Sequence, residues 1–370
     1  MTDRLAAKPP IISGLTYIRL LGSGGFADVY LYQQELPRRN VAVKVLRQKI
    51  MDPEVQRAFV RETNVTAQLG SHPSILTVFE AGLSADGRAY LISELCDPVP
   101  ARNWRTDRLP LDRVLEIGVN MASALETVHR AGQLHRDIKP SNILTTAFGQ
   151  AVLADFGVAS VIEADPVKAE HAMSLPWSSP EIVSLNTTGS VSAEIWSLGA
   201  TLYSLIAGRS PFENADGRFN STDDLKKRIT KAIIPALGVA GVPQVVESVL
   251  FKAMAKAPLD RFASMQEFAM ELNELQASLG LRSTPLAFPI STSANTPTID
   301  SADGAVLSGS VVAIESSRRK RNAATPVYKR LDSDVVVARV RKINPISLVL
   351  LLAASVGFIV ALIIIFSFGS

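Results

Sequence analysis

Residues 134–144 read LHRDIKPSNIL, and ten residues later come Asp155, Phe156 and Gly157. Asp137 and Asn142 lie five apart on a loop, and Asp155 adds a second carboxylate close to a glycine that permits a sharp bend. Oxygen ligands of this kind suit Mg²⁺, which keeps waters and bridges substrate phosphates. Such a loop has to be carried by a sizeable core. With 370 residues, 47% of them hydrophobic and 20% charged, the chain can close one.

One cysteine, Cys96, excludes an internal disulfide and a thiolate metal site, and four histidines leave little room for a zinc centre. A formal charge of +3 is too small to argue for nucleic acid as a partner. Short β-like runs come first, at residues 17–21, 29–33, 41–45, 76–81 and 89–93, bounded by Gly, Pro and Asp. Helical spacing dominates later. Leu111, Val114, Leu115, Gly118, Met121, Ala122, Leu125 and Val128 recur at three and four, as do Ile195, Leu198, Gly199, Leu202 and Ile206. The pattern predicts an α+β fold of two lobes, a small β-rich one and a larger helical one, with a ligand cleft between them.

Residues 21–30 read LGSGGFADVY, a glycine-rich turn between two apparent strands. Missing side chains let backbone N–H groups approach phosphate oxygens, although an ordinary hairpin gives the same pattern. No Gly-Lys-Ser/Thr follows, so this is not a Walker loop, and a strand follows where a Rossmann turn would open a helix. Lys44 stands alone among apolar neighbours in VAVKVL, where a buried ammonium needs a carboxylate or a phosphate; a lysine on an edge strand reaching solvent is the alternative. Glu62, in the helical stretch 54–69, is the natural carboxylate.

With these elements in this order, the sequence resembles the eukaryotic-type protein kinase family, in its bacterial, Hanks-type serine/threonine branch. The resemblance covers residues 15–275, about 70% of the chain, and implies a bilobal kinase fold using ATP with Mg²⁺, Mn²⁺ being an alternative ion. It assigns Leu21, Gly22, Ser23, Gly24, Val29, Ala42, Ser93 and Glu94 to the nucleotide, and Lys44, paired with Glu62, to its α- and β-phosphates. Asp137 matches the base that accepts the substrate hydroxyl proton, Lys139 would steady the transferring phosphate, and Asn142 and Asp155 would hold the metal ions. Lys139 within HRDIKPSN favours serine/threonine over tyrosine specificity. Ser93 matches the gatekeeper of the nucleotide pocket, and Cys96, beside that hinge, reads as a packing residue. Glu181 in SSPE and Arg261 in APLDRF match a buried structural ion pair.

Several positions depart from the pattern. Ala27 replaces the third loop glycine, Ser179 an alanine, Trp177 a tyrosine, and Glu194 an aspartate. Between Asp155 and Glu181 there is no threonine, and the hydroxyl candidates are Ser160, Ser174, Ser178 and Ser179. Ser174 matches the threonine that contacts the catalytic base. Glu163, Asp165 or Glu170 is expected to supply the negative charge that Arg136 would otherwise take from a phosphothreonine.

From residue 276 to 317 the composition shifts to Ser, Thr, Ala, Pro and Gly, as expected of a flexible linker, with Thr284, Thr292, Thr296 and Thr298 as candidate autophosphorylation sites. Residues 318–345 carry nine basic against two acidic side chains. An uncharged run then opens on Ile346 and closes on Phe368, long enough as a helix, about 34 Å, to cross a bilayer core. The basic flank predicts a single-pass membrane anchor with the catalytic domain cytoplasmic and the C-terminus outside. The N-terminal MTDRLAAKPP has no hydrophobic run, so no signal peptide is expected. Expected partners are ATP, protein substrates with Ser/Thr acceptors, membrane lipid, forkhead-associated-domain proteins and a second copy of the chain. A pseudokinase, serving as a membrane-tethered nucleotide-binding scaffold, and small-molecule phosphotransfer on the same fold are the competing readings.

Overall fold

Alternating burial along one strand sets the small lobe. In β3 (Arg39–Lys49), Val41, Val43 and Val45 are fully buried while Ala42 and Lys44 between them are half-buried, because successive side chains of a strand point to opposite faces. The computed structural model describes residues 7–50, 52–98, 105–106, 108–156, 174–214 and 221–288, without the side chains of 53, 58, 61, 62, 65 and 66. Around β3, strands β1 (Leu15–Ser23), β2 (Ala27–Gln34), β4 (Val78–Leu83) and β5 (Arg88–Glu94) complete a five-stranded antiparallel sheet in the order β1-β2-β3-β5-β4.

One face of the sheet buries Tyr30, Tyr32, Tyr90 and Ile92 with the three valines and Ile12. Residues 7–12 cover it. The Tyr30 hydroxyl donates to Ala7 O at 2.5 Å, that of Tyr32 to Pro10 O at 2.6 Å, and Arg88 to Lys8 O at 2.8 Å. These bonds satisfy phenol groups that would be costly to bury unpaired. On the other face, Phe59 of α1 (Pro53–Leu69) packs with Ala27, Leu46, Ile50, Ala89 and Leu91.

The large lobe is built on α2 (Leu111–Arg130), whose expected apolar spacing is buried almost all round. Around it lie α4 (Val191–Ala207) and α7 (Met265–Ser278), with the short α3 (Pro180–Val183), α5 (Thr222–Lys231) and α6 (Gln244–Ala253). Helix α4 begins four residues before the first periodic residue, Ile195, because Ser190 caps it by accepting from Ala193 N, and it ends at Gly208, whose φ of 72° suits a residue without Cβ. A second sheet of β6 (Asp97–Pro98), β7 (Ile143–Thr145) and β8 (Ala151–Leu153) lies at the end of the motif loop. The run expected as a strand at 76–81 pairs as β4 from Val78 instead, because Leu76 N bonds Leu153 O and ties that part of the chain to β8.

Packed residues continue past Leu275, where composition alone placed the start of a linker. Helix α7 runs to Ser278, and residues 281–288 fold back on the domain with Leu281 and Phe288 against the main core. Among the described residues no helix is long and apolar enough to cross a membrane; residues 289–370, including the run from Ile346 to Phe368, lie outside them.

Gly118 marks a close helix contact in the large lobe, since a Cβ there would meet Leu202 Cδ1 and Leu272 Cδ1 at 2.9 Å each. Helix propensity alone favours alanine by about 1 kcal/mol, against about 1–3 kcal/mol for overpacking. We expect Gly118→Ala to lower the urea midpoint of unfolding, a net loss of up to about 2 kcal/mol; a raised midpoint would show that the helices part without cost.

Candidate active site

Cross-strand register brings the expected nucleotide residues onto one face. Val29 lies opposite Lys44 and Lys44 opposite Leu91; Leu31 lies opposite Ala42 and Ala42 opposite Ser93. Val29, Ala42, Lys44 and Ser93 are all half-buried, whereas the valines on the reverse face are closed off; Glu94, half-buried as well, lies opposite Val41 on that reverse side. A half-open face in the centre of a sheet is a cleft wall. Leu21, Gly22, Ser23 and Gly24 precede β2 at the rim of this face, and Gly24 N donates to Ala27 O across the turn at 2.9 Å. A Cβ at Gly22 or Gly25 would meet no atom of the chain within 4 Å, and neither residue has left-handed φ. Nothing inside the described chain therefore requires glycine there.

The turn is pinned by groups that sequence reading missed. Asp28, 1% exposed, takes the Arg47 guanidinium at 2.7 Å, the Ser23 hydroxyl at 2.7 Å and Ala7 N at 3.0 Å. Burial alone would raise the Asp28 carboxyl, but the Arg47 and Ser23 hydrogen bonds outweigh it and hold the group below its usual range. The only hint in the sequence was a charged residue at a strand position that faces inward.

Lys44 meets its anion. Its ammonium lies 2.8 Å from Asp155 Oδ1, a carboxylate more than a hundred positions away. The Glu62 side chain, the expected partner, lies outside the description. Asp155 has φ of 65° and Arg136 φ of 68°, each a left-handed conformation costing about 1–3 kcal/mol that surrounding structure must hold. Three anchors do so. Ala154 N donates to Asn142 O at 2.8 Å, and buried His135 donates from Nε2 to Ala154 O at 2.9 Å while its Nδ1 accepts from Asp137 N at 3.3 Å. Burial keeps that imidazole neutral, which this donor–acceptor role requires. Glu194 accepts from Arg136 N at 2.6 Å through one oxygen and contacts His129 Nε2 at 2.6 Å through the other. The glutamate at this position therefore supports the loop from 58 residues away.

The motif loop gathers its polar groups around Asp137. Lys139 Nζ lies 2.7 Å from Asp137 Oδ2 and donates to Ser174 Oγ at 2.9 Å, and Ser174 Oγ donates to Asp137 Oδ1 at 2.5 Å. Asn142 Nδ2 donates to Asp137 O and Oδ2, and no described donor reaches its Oδ1. Burial would raise the Asp137 carboxyl, but the Lys139 charge and the hydrogen bonds from Lys139, Ser174 and Asn142 together hold it below its usual range. No cluster of three or more His, Cys, Asp or Glu side chains fit for a metal occurs among the described residues. One carboxylate and one amide oxygen nevertheless fit Mg²⁺, whose other ligands are waters and phosphate oxygens.

Two further expectations meet the structure here. The Cys96 thiol is pushed up to about 12 by burial and by Glu94 and Asp97, so it is unreactive at neutral pH. Ser160, Glu163, Asp165 and Glu170 lie outside the described residues, and no pairing with Arg136 is described. A groove of about 810 Å³ between α1 and β4, lined by Phe59, Val60, Phe79 and Leu83 among others, contains none of Lys44, Asp137, Asn142 or Asp155. The expected site residues therefore lie away from that groove.

The protein kinase domain family matches residues 15–271. The chain is 34% identical over 285 residues to the serine/threonine-protein kinase PknK of Mycobacterium tuberculosis, covering 75% of this chain and 25% of that protein. It is 31% identical over 316 residues to PknA of the same species, covering 83% and 70% respectively. A probable serine/threonine-protein kinase of Clostridium perfringens, CPE1738, is 29% identical over 264 residues, covering 70% and 38%. The chain thus spans only a quarter of the length of PknK.

Arg261 and Glu181 form the expected pair, bidentate at 2.6 and 2.9 Å, with the Arg261 side chain fully buried. Burial alone would raise the Glu181 carboxyl, but the Arg261 bonds hold it below its usual range. Its contribution to stability is therefore full above the unfolded carboxylate pKa of about 4.3 and is lost as pH falls through the lower folded value. Glu181→Gln should cost about 3–5 kcal/mol at pH 7 by leaving a buried guanidinium without a counter-charge. Denaturant melts should show that gap narrowing below about pH 4; a gap constant with pH would remove the ion pair from the account.

Proposed function

The chain belongs to the protein kinase family, and from that premise we propose that it is a serine/threonine protein kinase transferring the γ-phosphoryl group of ATP to protein hydroxyls with Mg²⁺. The observation that carries this reading is the Ser174 hydroxyl, which donates to Asp137 at 2.5 Å while accepting from Lys139 at 2.9 Å. An acceptor alcohol needs the same two groups: a carboxylate to take its proton and a cation beside the oxygen that bonds to phosphorus. Lys44 and Asp155, paired at 2.8 Å, present one positive and one negative group complementary to a phosphate and its metal ion.

In this scheme ATP is bound against Val29, Ala42, Ser93 and Glu94, and the side-chain-free positions Gly22 and Gly24 let the turn lie close over its phosphates. Lys44 holds the α- and β-phosphate oxygens. Asn142 Oδ1 and the Asp155 carboxylate would hold the metal, which neutralises phosphate charge. The alcohol oxygen of the substrate bonds to the γ-phosphorus as the bond to the β–γ bridging oxygen breaks, ADP departs, and the alcohol proton passes to Asp137. Lys139 offsets the charge that develops on the transferring group. His135, Glu194 and the Ala154–Asn142 bond keep the reacting groups in place, and positioning carries most of the catalytic effect in phosphoryl transfer.

The same reading places a membrane anchor at residues 346–368 and the catalytic domain on the cytoplasmic side, supported by the uncharged run and its basic flank. Autophosphorylation is part of the proposal, with Thr292, Thr296 and Thr298 as acceptors. Thr284 is 8% exposed and accepts from Gln276 Nε2, so it is a poor one. Proteins with forkhead-associated domains, and a second copy of the chain, are the partners this function would call on.

Full-length protein in nanodiscs, given labelled ATP, Mg²⁺ and a generic protein substrate, should yield phosphoserine and phosphothreonine. Asp137→Asn should reduce transfer by about 10²- to 10⁴-fold with nucleotide affinity retained. Nucleotide binding without any transfer by the wild type would establish the pseudokinase reading instead.

A further inference from the structure

The family match ends at residue 271, yet the chain stays bonded to the domain for seventeen residues more, and those bonds lead toward the metal-binding end of the site. Past α7, Gly280 takes a φ of 67° and Leu281 N returns to Gln276 O at 2.9 Å. Gln276, 1% exposed, then grips Thr284 twice: its Oε1 accepts from Thr284 N at 3.0 Å and its Nε2 donates to Thr284 Oγ1 at 2.9 Å. Asn273 Nδ2 donates to Thr284 O at 2.6 Å. A buried side-chain amide satisfied at both ends gives the strap one fixed register.

Three residues on, Ala287 O meets His72 Nε2 at 2.9 Å, across 215 positions of sequence. His72 is 8% exposed, and its other nitrogen, Nδ1, accepts from Ser74 N at 3.0 Å. The ring therefore donates to the strap and accepts from its own loop. That loop is stitched to β8: Leu153 N donates to Ser74 O at 2.9 Å, Leu76 N to Leu153 O at 3.0 Å, and Gln150 Nε2 to Ser74 Oγ at 2.9 Å. Strand β8 runs through Ala154 directly into Asp155, whose left-handed backbone depends on outside support.

We propose that residues 281–288 form a strap which, through His72, positions Asp155, so that the functional domain of this chain extends to Phe288. His72 is a positioning residue, since it touches neither substrate nor metal and acts through Ser74 and β8. The proposal rests on the assignment of Asp155 to the metal made under Proposed function. Loss of the strap leaves Ala287 O and the His72 donor unpaired, frees residues 72–76, and lets the chain before Asp155 relax away from its strained conformation. The consequence falls on metal affinity first, because a ligand held less firmly must be ordered by the ion itself.

The test uses full-length protein with Mn²⁺ and a non-hydrolysable ATP analogue, bound Mn²⁺ being read from loss of the free-ion electron paramagnetic resonance signal. His72→Asn keeps an acceptor near the Nδ1 position but loses the strap donor; His72→Gln keeps a donor near Nε2. Thr284→Val removes only the hydroxyl that Gln276 holds, and Thr284→Ser restores it. We expect His72→Asn and Thr284→Val each to weaken Mn²⁺ binding by about three- to tenfold, with the double variant little worse than either alone, since both break one linkage. Recovery toward wild type is expected in His72→Gln and Thr284→Ser. Unchanged Mn²⁺ affinity in variants that only lower the melting temperature would overturn the strap while leaving the kinase reading intact, and so would additive losses in the double variant. A wild-type chain that holds no Mn²⁺–nucleotide would overturn both.

Discussion

Arg136 and Asp155 both have left-handed backbone conformations that only glycine adopts without cost, and the architecture around them follows from the need to hold them there. A helical lobe with a large, tightly packed core meets that need. Helix α4 contributes Glu194, whose two carboxylate oxygens reach Arg136 N and His129, and its own cap and core contacts keep it from moving. His135 ties the backbone before Asp155 to the loop that carries Asp137. The strained residues are thus locked by groups that are themselves buried, so the strain persists instead of relaxing.

The small lobe solves a different problem, that of exposing one face of a central strand without losing the sheet. Its reverse face is closed by tyrosines and by residues 7–12, which leaves the side carrying Val29, Ala42, Lys44 and Ser93 free to line a cleft. The Asp28–Arg47 pair fixes the turn at the mouth of that cleft. Charge is arranged in the same spirit throughout. Lys44 and Asp155 form one close pair of opposite charge and Lys139 and Asp137 a second, so that none of these four ionised groups is left partly buried and alone.

What could be read from the sequence was local. The motif loop, the glycine turn, Lys44 in its strand and the Glu181–Arg261 match all sit on short signatures whose residue types betray their chemistry. The α+β order and the helix α2 followed from periodicity alone. Supports that act across long stretches of chain were invisible: Glu194 to Arg136, Asp155 to Lys44, and Ala287 to His72 join positions with no shared pattern. Composition also misled at one edge. Residues 276–288 have the Ser, Thr, Ala, Pro and Gly content of a linker and one aromatic residue, Phe288, yet Gln276, Asn273 and His72 hold them to the domain, and bonds of that kind leave no periodic trace.

The cover over the tyrosine face has a practical bearing on how this domain is handled. A fragment trimmed to the family limits, residues 15–271, would lack the carbonyls of Ala7 and Pro10 that receive the Tyr30 and Tyr32 hydroxyls, as well as the apolar side chain of Ile12. It would present a greasy aromatic patch with two stranded phenols to the solvent, and an affinity tag fused just ahead of residue 15 would sit where that lining belongs. Such a fragment would be prone to self-association in a way the intact polypeptide is not.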